Sequence, residues 1–170
     1  ADKEQRRRAN YAKHLAEKRA REGYTFDEAY DKMYERNYFG MAMVESGDAD
    51  TMITGLYTKY SDTIKIAKDV IGIRPEYKHF GTMHILNTKR GIYYIADTLI
   101  NRMPNAEALV DITRLAHHSV KFFNDDPVMA MVSFSNFGSD EGGSPQQVRE
   151  ALAITQETHP DWLIDGEMQI

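Results

Sequence analysis

Val128-Met129-Ala130-Met131-Val132-Ser133-Phe134-Ser135-Asn136-Phe137-Gly138-Ser139 runs directly into Asp140-Glu141-Gly142-Gly143 and then Ser144-Pro145-Gln146-Gln147. Val128 to Phe134 reads as a buried strand, and a Gly/Ser loop follows it. Ser144 as cap, Pro145 in the first turn and Gln147 three positions after the cap open a helix. Strand, loop and helix in that order point to an α/β layered domain. Beyond the helix, Trp162-Leu163-Ile164-Asp165 reads as a last strand. Before the quoted stretch, Pro104-Asn105-Ala106-Glu107 begins a long helix whose apolar stripe is Ala106, Leu109, Ile112, Ala116, Val120 and Phe123. Earlier still, Phe80 to Leu86 and Ile92 to Ala96 flank Lys89-Arg90-Gly91, the pattern of an antiparallel pair.

The first third has a different texture. Residues 1–36 hold 10 basic and 8 acidic side chains, against 11 and 18 in the remainder. Ala9, Ala12, Leu15, Ala16 and Ala20 recur at helical spacing up to Gly23, and Thr25-Phe26-Asp27-Glu28 is a capping box for a second helix. Small residues along the first helix favour close helix packing. Tyr38 to Val44 is a short, nearly continuous apolar run ended by Gly47-Asp48, which predicts a strand buried on both faces. A helix is then expected over 50–56, and another from Asp62 to Ile71, stopped by Gly72 and Pro75.

At 170 residues and 19.5 kDa the chain fits one globular domain. An apolar share of 42% argues against global disorder. A net charge of −5 makes sequence-independent nucleic-acid binding a poor expectation, because phosphate neutralisation dominates that affinity. The absence of Cys excludes disulfides, thiolate zinc sites and cysteine nucleophiles, and fits a reducing compartment. No apolar run approaches the ~20 residues that span a bilayer. The first residues carry no signal-peptide pattern, so a cytoplasmic protein with no membrane or nucleic-acid partner is expected. The chain lacks an initiator Met and ends mid-element, as a piece of a larger polypeptide would.

Chemistry concentrates at the Ser-rich loop. Ligands of open α/β sheets sit at the carboxyl ends of strands, and helix N-termini present free N–H groups to anions. Ser133, Ser135 and Ser139 add hydroxyl donors, so an anion site is reasonable here; Asp140 and Glu141 oppose it. The alternative is an ordinary crossover loop. The loop has neither a Gly-Lys-Ser/Thr ending nor Gly-x-Gly-x-x-Gly. Asp97 and Asn101 also follow a strand, where they either line a ligand edge or satisfy loop backbone. Gly47-Asp48-Ala49-Asp50 reads as a helix start more readily than as a metal site. Arg6-Arg7-Arg8 reads as a solvated basic turn, and the six His show no ligand spacing.

Several motifs occur together in order: Asn37-Tyr38-Phe39-Gly40, Gly47-Asp48-Ala49-Asp50, Ile53-Thr54-Gly55, Tyr93 to Thr98, Val132 to Ser139 and Asp165-Gly166-Glu167-Met168-Gln169. This set resembles the phosphate acetyl/butyryl transferase family, and most closely the transferase-like C-terminal domain of hybrid NADP-dependent malic enzymes. The resemblance implies a layered α/β/α fold with a mostly parallel sheet, related to isocitrate and isopropylmalate dehydrogenases. Residues 1–170 would be the central part of that domain. The flanking parts, including the family's Asn-Asp-Leu-Ser-Arg-Gly loop, and the malic enzyme domains would lie outside it.

The resemblance further implies acetyl-CoA or another acyl-CoA as ligand, with NADP and a divalent metal confined to the parent's malic enzyme domain. It implies a homodimer or larger homo-oligomer. The ligand residues carried over are Lys65, Asp97, Thr98, Ser133, Ser135, Asn136, Gly138 and Ser139, with no catalytic residue. Active transferases carry His-Ser/Thr-Thr-Ala-Asp-Thr-Val-Arg where this chain has Thr58-Lys59-Tyr60-Ser61-Asp62-Thr63-Ile64-Lys65. Asp62 and Thr63 match. Lys59-Tyr60 replaces the hydroxyl pair, and Lys65 lacks the planar fork of Arg. A regulatory acetyl-CoA-binding domain of an NADP-dependent malic enzyme is therefore expected. The alternatives are an active phosphotransacylase and a non-catalytic oligomerisation domain.

Overall fold

Helix α1, Lys3–Lys18, opens the chain and buries Tyr11, Ala12 and Leu15. The computed structural model describes residues 2–170, which divide into one unit up to Ile73 and a second from Arg74 to Ile170. Two units thus stand where length alone suggested one domain.

The first unit is helical. After α1 comes a 3-10 turn, Ala20–Glu22, ended by Gly23 in a left-handed conformation. Helix α2, Phe26–Lys32, starts at the expected capping box: the Thr25 hydroxyl accepts from the Glu28 N–H, and the Glu28 carboxylate accepts from the Thr25 N–H. Helix α3 is Arg36–Glu45 and helix α4 is Tyr60–Val70. Ala12 and Ala29, both fully buried, let α1 and α2 approach closely. Around them, Leu15, Met33, Tyr38, Met41, Ile66 and Val70 complete one apolar core.

Two expectations are corrected here. Tyr38 to Val44 lies in α3 rather than in a strand. A short apolar run fits either element, and two features decide for the helix: Asn37, Tyr38, Met41 and Ala42 form one buried helical face, and the Glu35 carboxylate caps the helix by accepting from the Tyr38 N–H. Residues 50–56 are not helical. Thr54 donates to the Asn37 side chain at 2.5 Å, and Asn37 donates to Thr58 at 3.1 Å. These bonds hold the segment against α3 in an irregular path.

The C-terminal ends of α1 and α4 meet through charge. Lys18 donates to the Val70 and Ile71 carbonyls and Arg19 to the Asp69 carbonyl, satisfying acceptors that a helix end leaves open. The Asp69 carboxylate accepts from the Tyr24 and Tyr38 hydroxyls, each at 2.7 Å.

The second unit holds all four strands. Strands β1, Met83–Thr88, and β2, Gly91–Ala96, form the expected antiparallel hairpin. Helix α5, Ala106–Phe122, is capped by Asn105, whose side chain accepts from the Ala108 N–H. Strand β3, Val128–Val132, pairs in parallel with β4, Leu163–Met168. Helix α6, Gly143–Thr158, crosses between them, a β-α-β unit. The fold class is therefore α/β with a parallel ladder, as expected. Met131, Val148, Ala151, Leu152 and Ile164 form the core beneath it.

One detail of α6 differs from expectation. Its N-cap is Gly142, without a side-chain bond, so Ser144 does not cap and Pro145 is buried in the first turn. Gln147 instead accepts from the Ala106 N–H and ties α6 to the start of α5. Beyond α6, Trp162 contacts two imidazoles, His117 stacked on it at 3.8 Å and His159 tilted by 31° at 4.0 Å between ring centroids.

Candidate functional site

Strand β3 ends at Val132, and the next residues fold into a loop that returns to α6. In the parallel ladder Met131 pairs with Gly166 but Val132 pairs with Met168, so Glu167 is an extra residue on β4. Such a bulge re-aims a side chain. Glu167 is fully buried, and its carboxylate lies among the loop's donors. It accepts from the Ser135 hydroxyl at 2.7 Å, the Gly138 N–H at 2.9 Å and Arg149 at 2.7 Å. Burial pushes this carboxyl up, but the bonds from Gly138, Ser135 and Arg149 together hold it below the ordinary value.

Gly166 makes the bulge possible. A Cβ there would meet the Met131 carbonyl oxygen at 2.5 Å, and its φ of +149° is open only to glycine. Gly138, with φ +86°, supplies the loop's left-handed step.

The remaining loop groups are largely bonded to one another. Ser133 donates to the Ser135 carbonyl, and Ser139 accepts from the Asn136 N–H. Ser135 bridges Ser139 and the Asp140 N–H. Ser135 is buried, whereas Asn136, Gly138 and Ser139 are exposed. The structure thus gathers Ser133, Ser135, Asn136, Gly138 and Ser139 in one loop and divides them: Ser135 faces inward to Glu167, and the exposed three form the outer surface. Free N–H groups for an external anion are fewer than the sequence pattern promises, because Glu167 takes the central ones. The exposed rings of Phe134 and Phe137 lie in the same loop.

Asp97 and Thr98 follow β2. The Asp97 carboxylate accepts from the Asn101 N–H at 2.9 Å, the Asn101 side chain at 2.7 Å and the Thr82 hydroxyl. These bonds engage Asp97 in closing its own loop. Burial raises its carboxyl, and the bonds from Thr82 and Asn101 outweigh that and hold it low. Thr98 is exposed and shares a hydrogen bond with His84 at 2.7 Å. Lys65 belongs to the other unit, on α4, where it is largely exposed and lies 3.9 Å from Asp62.

Neither cavity described in the second unit takes in the Ser-rich loop. One, of about 590 Å³, is lined by Tyr94, Ile112, Val120, Met129, Met131 and Ile164 among others. Another, of about 460 Å³, includes His79, Asn101 and Arg102. Beside it His79 pairs with the buried Asp111 at 2.9 Å. Among the described residues no group of three His, Cys, Asp or Glu side chains is placed to hold a metal ion. No helix among them is long and apolar enough to cross a membrane.

Sequence reasoning missed Glu167 and Arg149. The available signal was position: Glu167 falls beside Met168 at the end of a strand whose Ile164 is core, and a carboxylate buried there needs a cationic partner.

The sequence profile described as Phosphate acetyl/butaryl transferase matches residues 1–170. The chain belongs to this family. It is 37% identical over 149 residues to an NADP-dependent malic enzyme of Escherichia coli, covering 87% of this chain and 20% of that protein. It is 32% identical over 151 residues to a phosphate acetyltransferase of Nitratidesulfovibrio vulgaris, covering 89% of this chain and 21% of that one. Its fold matches a phosphotransacetylase from Streptococcus pyogenes with a TM-score of 0.77 at 34% identity, over 88% of this chain and 46% of that chain. The EutD phosphotransacetylase from Staphylococcus aureus gives 0.76 at 28% identity, over 95% and 50%. The family member described here therefore spans about a fifth of these two curated relatives and about half of the solved chains.

Proposed function

We propose that these residues form an acetyl-CoA-binding, regulatory transferase-like part of a cytoplasmic NADP-dependent malic enzyme. In that parent, oxidative decarboxylation of malate to pyruvate, NADP and the divalent metal belong to other domains. The observation that carries the reading is the departure at Thr58 to Lys65. Lys59 and Tyr60 stand where the resemblance implies small hydroxyls, and Lys65 stands where it implies Arg. The two threonine hydroxyls of the stretch are already engaged: Thr58 bonds to Thr63 at 3.0 Å and accepts from Asn37. Similarity to malic enzymes along most of the chain supports the same reading.

Acyl-CoA fits the exposed surface of the Ser-rich loop in kind: Asn136 and Ser139 offer polar contacts, and Phe134 and Phe137 offer apolar ones. Asp97 and Thr98 remain proposed ligand contacts of the second unit, and Lys65, taken separately, a proposed anion contact of the first. Ser133, Ser135 and Gly138 act within the loop. The proposed assembly is a homodimer.

Calorimetric titration of the complete polypeptide with acetyl-CoA, alongside its malate oxidation rate, tests this reading. Saturable binding with inhibition is expected. The second reading, an active phosphotransacylase, is favoured by similarity to phosphate acetyltransferases and by the matching Asp62 and Thr63. It predicts acetyl phosphate formation from acetyl-CoA and phosphate, abolished by Lys65→Ala, and such turnover would displace the regulatory reading.

A further inference from the structure

Glu167 occupies the place an anionic ligand would take. Three donors from three directions meet its carboxylate: a backbone N–H from Gly138, a hydroxyl from Ser135 and the guanidinium of Arg149. Its own carbonyl accepts from the Phe137 N–H at 2.9 Å. Arg149 also donates to the Asp140 carbonyl at 2.8 Å, so the C-terminal side of the turn is tied to this ion pair, while Met168 and Gln169 bond Ser133, Phe134 and Asn136 at its start.

The turn itself is not self-supporting. Gly138 and Phe137 both have positive φ, +86° and +45°, and for Phe137 that region is unfavourable. Such conformations persist when the surroundings over-determine them. At Phe137 and Gly138 the surroundings are the Glu167 carbonyl and carboxylate, which the β4 bulge aims inward, while Gln169 bonds the neighbouring Phe134 and Asn136. Without that carboxylate, the Ser135 hydroxyl, the Gly138 N–H and Arg149 lose their common acceptor. Ser135 no longer holds Ser139 and Asp140 at a fixed point.

We propose that Glu167, fixed by Arg149, is the positioning residue of the ligand loop, holding residues 133–139 in the shape that presents Asn136 and Ser139 to acyl-CoA. The inference rests on the acyl-CoA reading given above. Glu167 makes no contact with the ligand; it acts through the loop.

The test uses the complete polypeptide and five samples: unaltered protein without and with sodium formate, Glu167→Gln, and Glu167→Ala without and with sodium formate, with sodium chloride matching ionic strength. Formate is a free carboxylate small enough for the vacated space. Acetyl-CoA affinity is read by calorimetry and loop order by amide hydrogen exchange over residues 133–139. Both variants are expected to weaken acetyl-CoA binding by roughly tenfold or more and to speed loop exchange, as a lost charge-assisted anchor would. Formate is expected to restore both in Glu167→Ala and to leave the unaltered protein unchanged. Glu167→Gln preserves shape, so it carries the test if the Ala variant does not fold. Unchanged loop exchange in the variants overturns the positioning role whatever the ligand. Faster exchange with undiminished acetyl-CoA affinity overturns the link to binding, as does a loss that formate fails to recover. An unaltered protein that binds no acetyl-CoA overturns the ligand reading, and with it the effect on affinity, while the exchange arm still judges the loop.

Discussion

A buried carboxylate that stays charged leaves a signature in acid. Glu167 is held below its ordinary value of 4.5, so its contribution to stability is fully present above pH 4.5 and is lost as pH falls through the lower folded value. Urea midpoints measured from pH 7 down to pH 3 should therefore fall less steeply for Glu167→Gln than for the unaltered chain. Tyr11 gives the opposite edge. Burial, aided by its hydrogen bond to Asp48, pushes this phenol up to about 12 from 10.0. Its contribution holds below pH 10 and is lost as pH rises through about 12, so Tyr11→Phe should flatten the alkaline limb of the same titration. At Asp69, which accepts from two phenols, Tyr38→Phe should cost about 1.5–3 kcal/mol by urea denaturation, the range for bonds to charged groups. At this scale the sequence was only partly informative. The serines and Asn136 were legible because they cluster in one short stretch. Glu167 and Arg149 were not, because the bulge that brings them together is a property of strand pairing, which no spacing along the chain encodes.

At the scale of elements, local signals survived folding unevenly: Thr25 caps α2, whereas Ser144 leaves the N-cap of α6 to Gly142. The Thr25–Glu28 capping box formed as written, and Thr25→Ala should cost about 1 kcal/mol in chemical denaturation, with loss centred on α2. The hairpin, α5 and the strands β3 and β4 were likewise legible from turn residues and periodicity, whereas the parallel sheet was implied by the family resemblance. The run from Tyr38 to Val44 was not legible, because continuous apolarity suits a buried strand and a helix equally. A cap from Glu35 and close approach of Met52 to Gly40 settle it. Gly166 carries the sharpest expectation at this scale. Gly166→Ala should destabilise β3–β4 by about 2–4 kcal/mol, since the new methyl meets a backbone oxygen that cannot rotate away. Full stability in that variant would contradict the bulge geometry.

For the whole molecule, the division near residues 73 and 74 was not legible from length, which suits one domain as well as two. Each unit closes its own core, the first from helices alone, the second around a β-α-β unit. The exposed stretch from Ile71 to Glu76 should accordingly be an early site of limited proteolysis, identified by fragment mass. First cuts within α5 instead would argue against two units. The proposed homodimer has its own check: light scattering at the mass of a single polypeptide, at micromolar concentration, would exclude it.

The His117–Trp162–His159 cluster has a practical consequence. Trp162 is the chain's single tryptophan, so its emission is an intrinsic optical probe confined to the second unit. Burial, reinforced by Lys121 and His159, holds the His117 imidazole below its ordinary 6.5. Charging that ring, a strong quencher of indole at contact, should dim the probe in a step below pH 6.5, and His117→Gln should reduce that step, with the His159 ring still in contact. Unfolding of the two halves can then be followed in separate spectral channels, indole emission for one and total helical ellipticity for both, without attaching a dye.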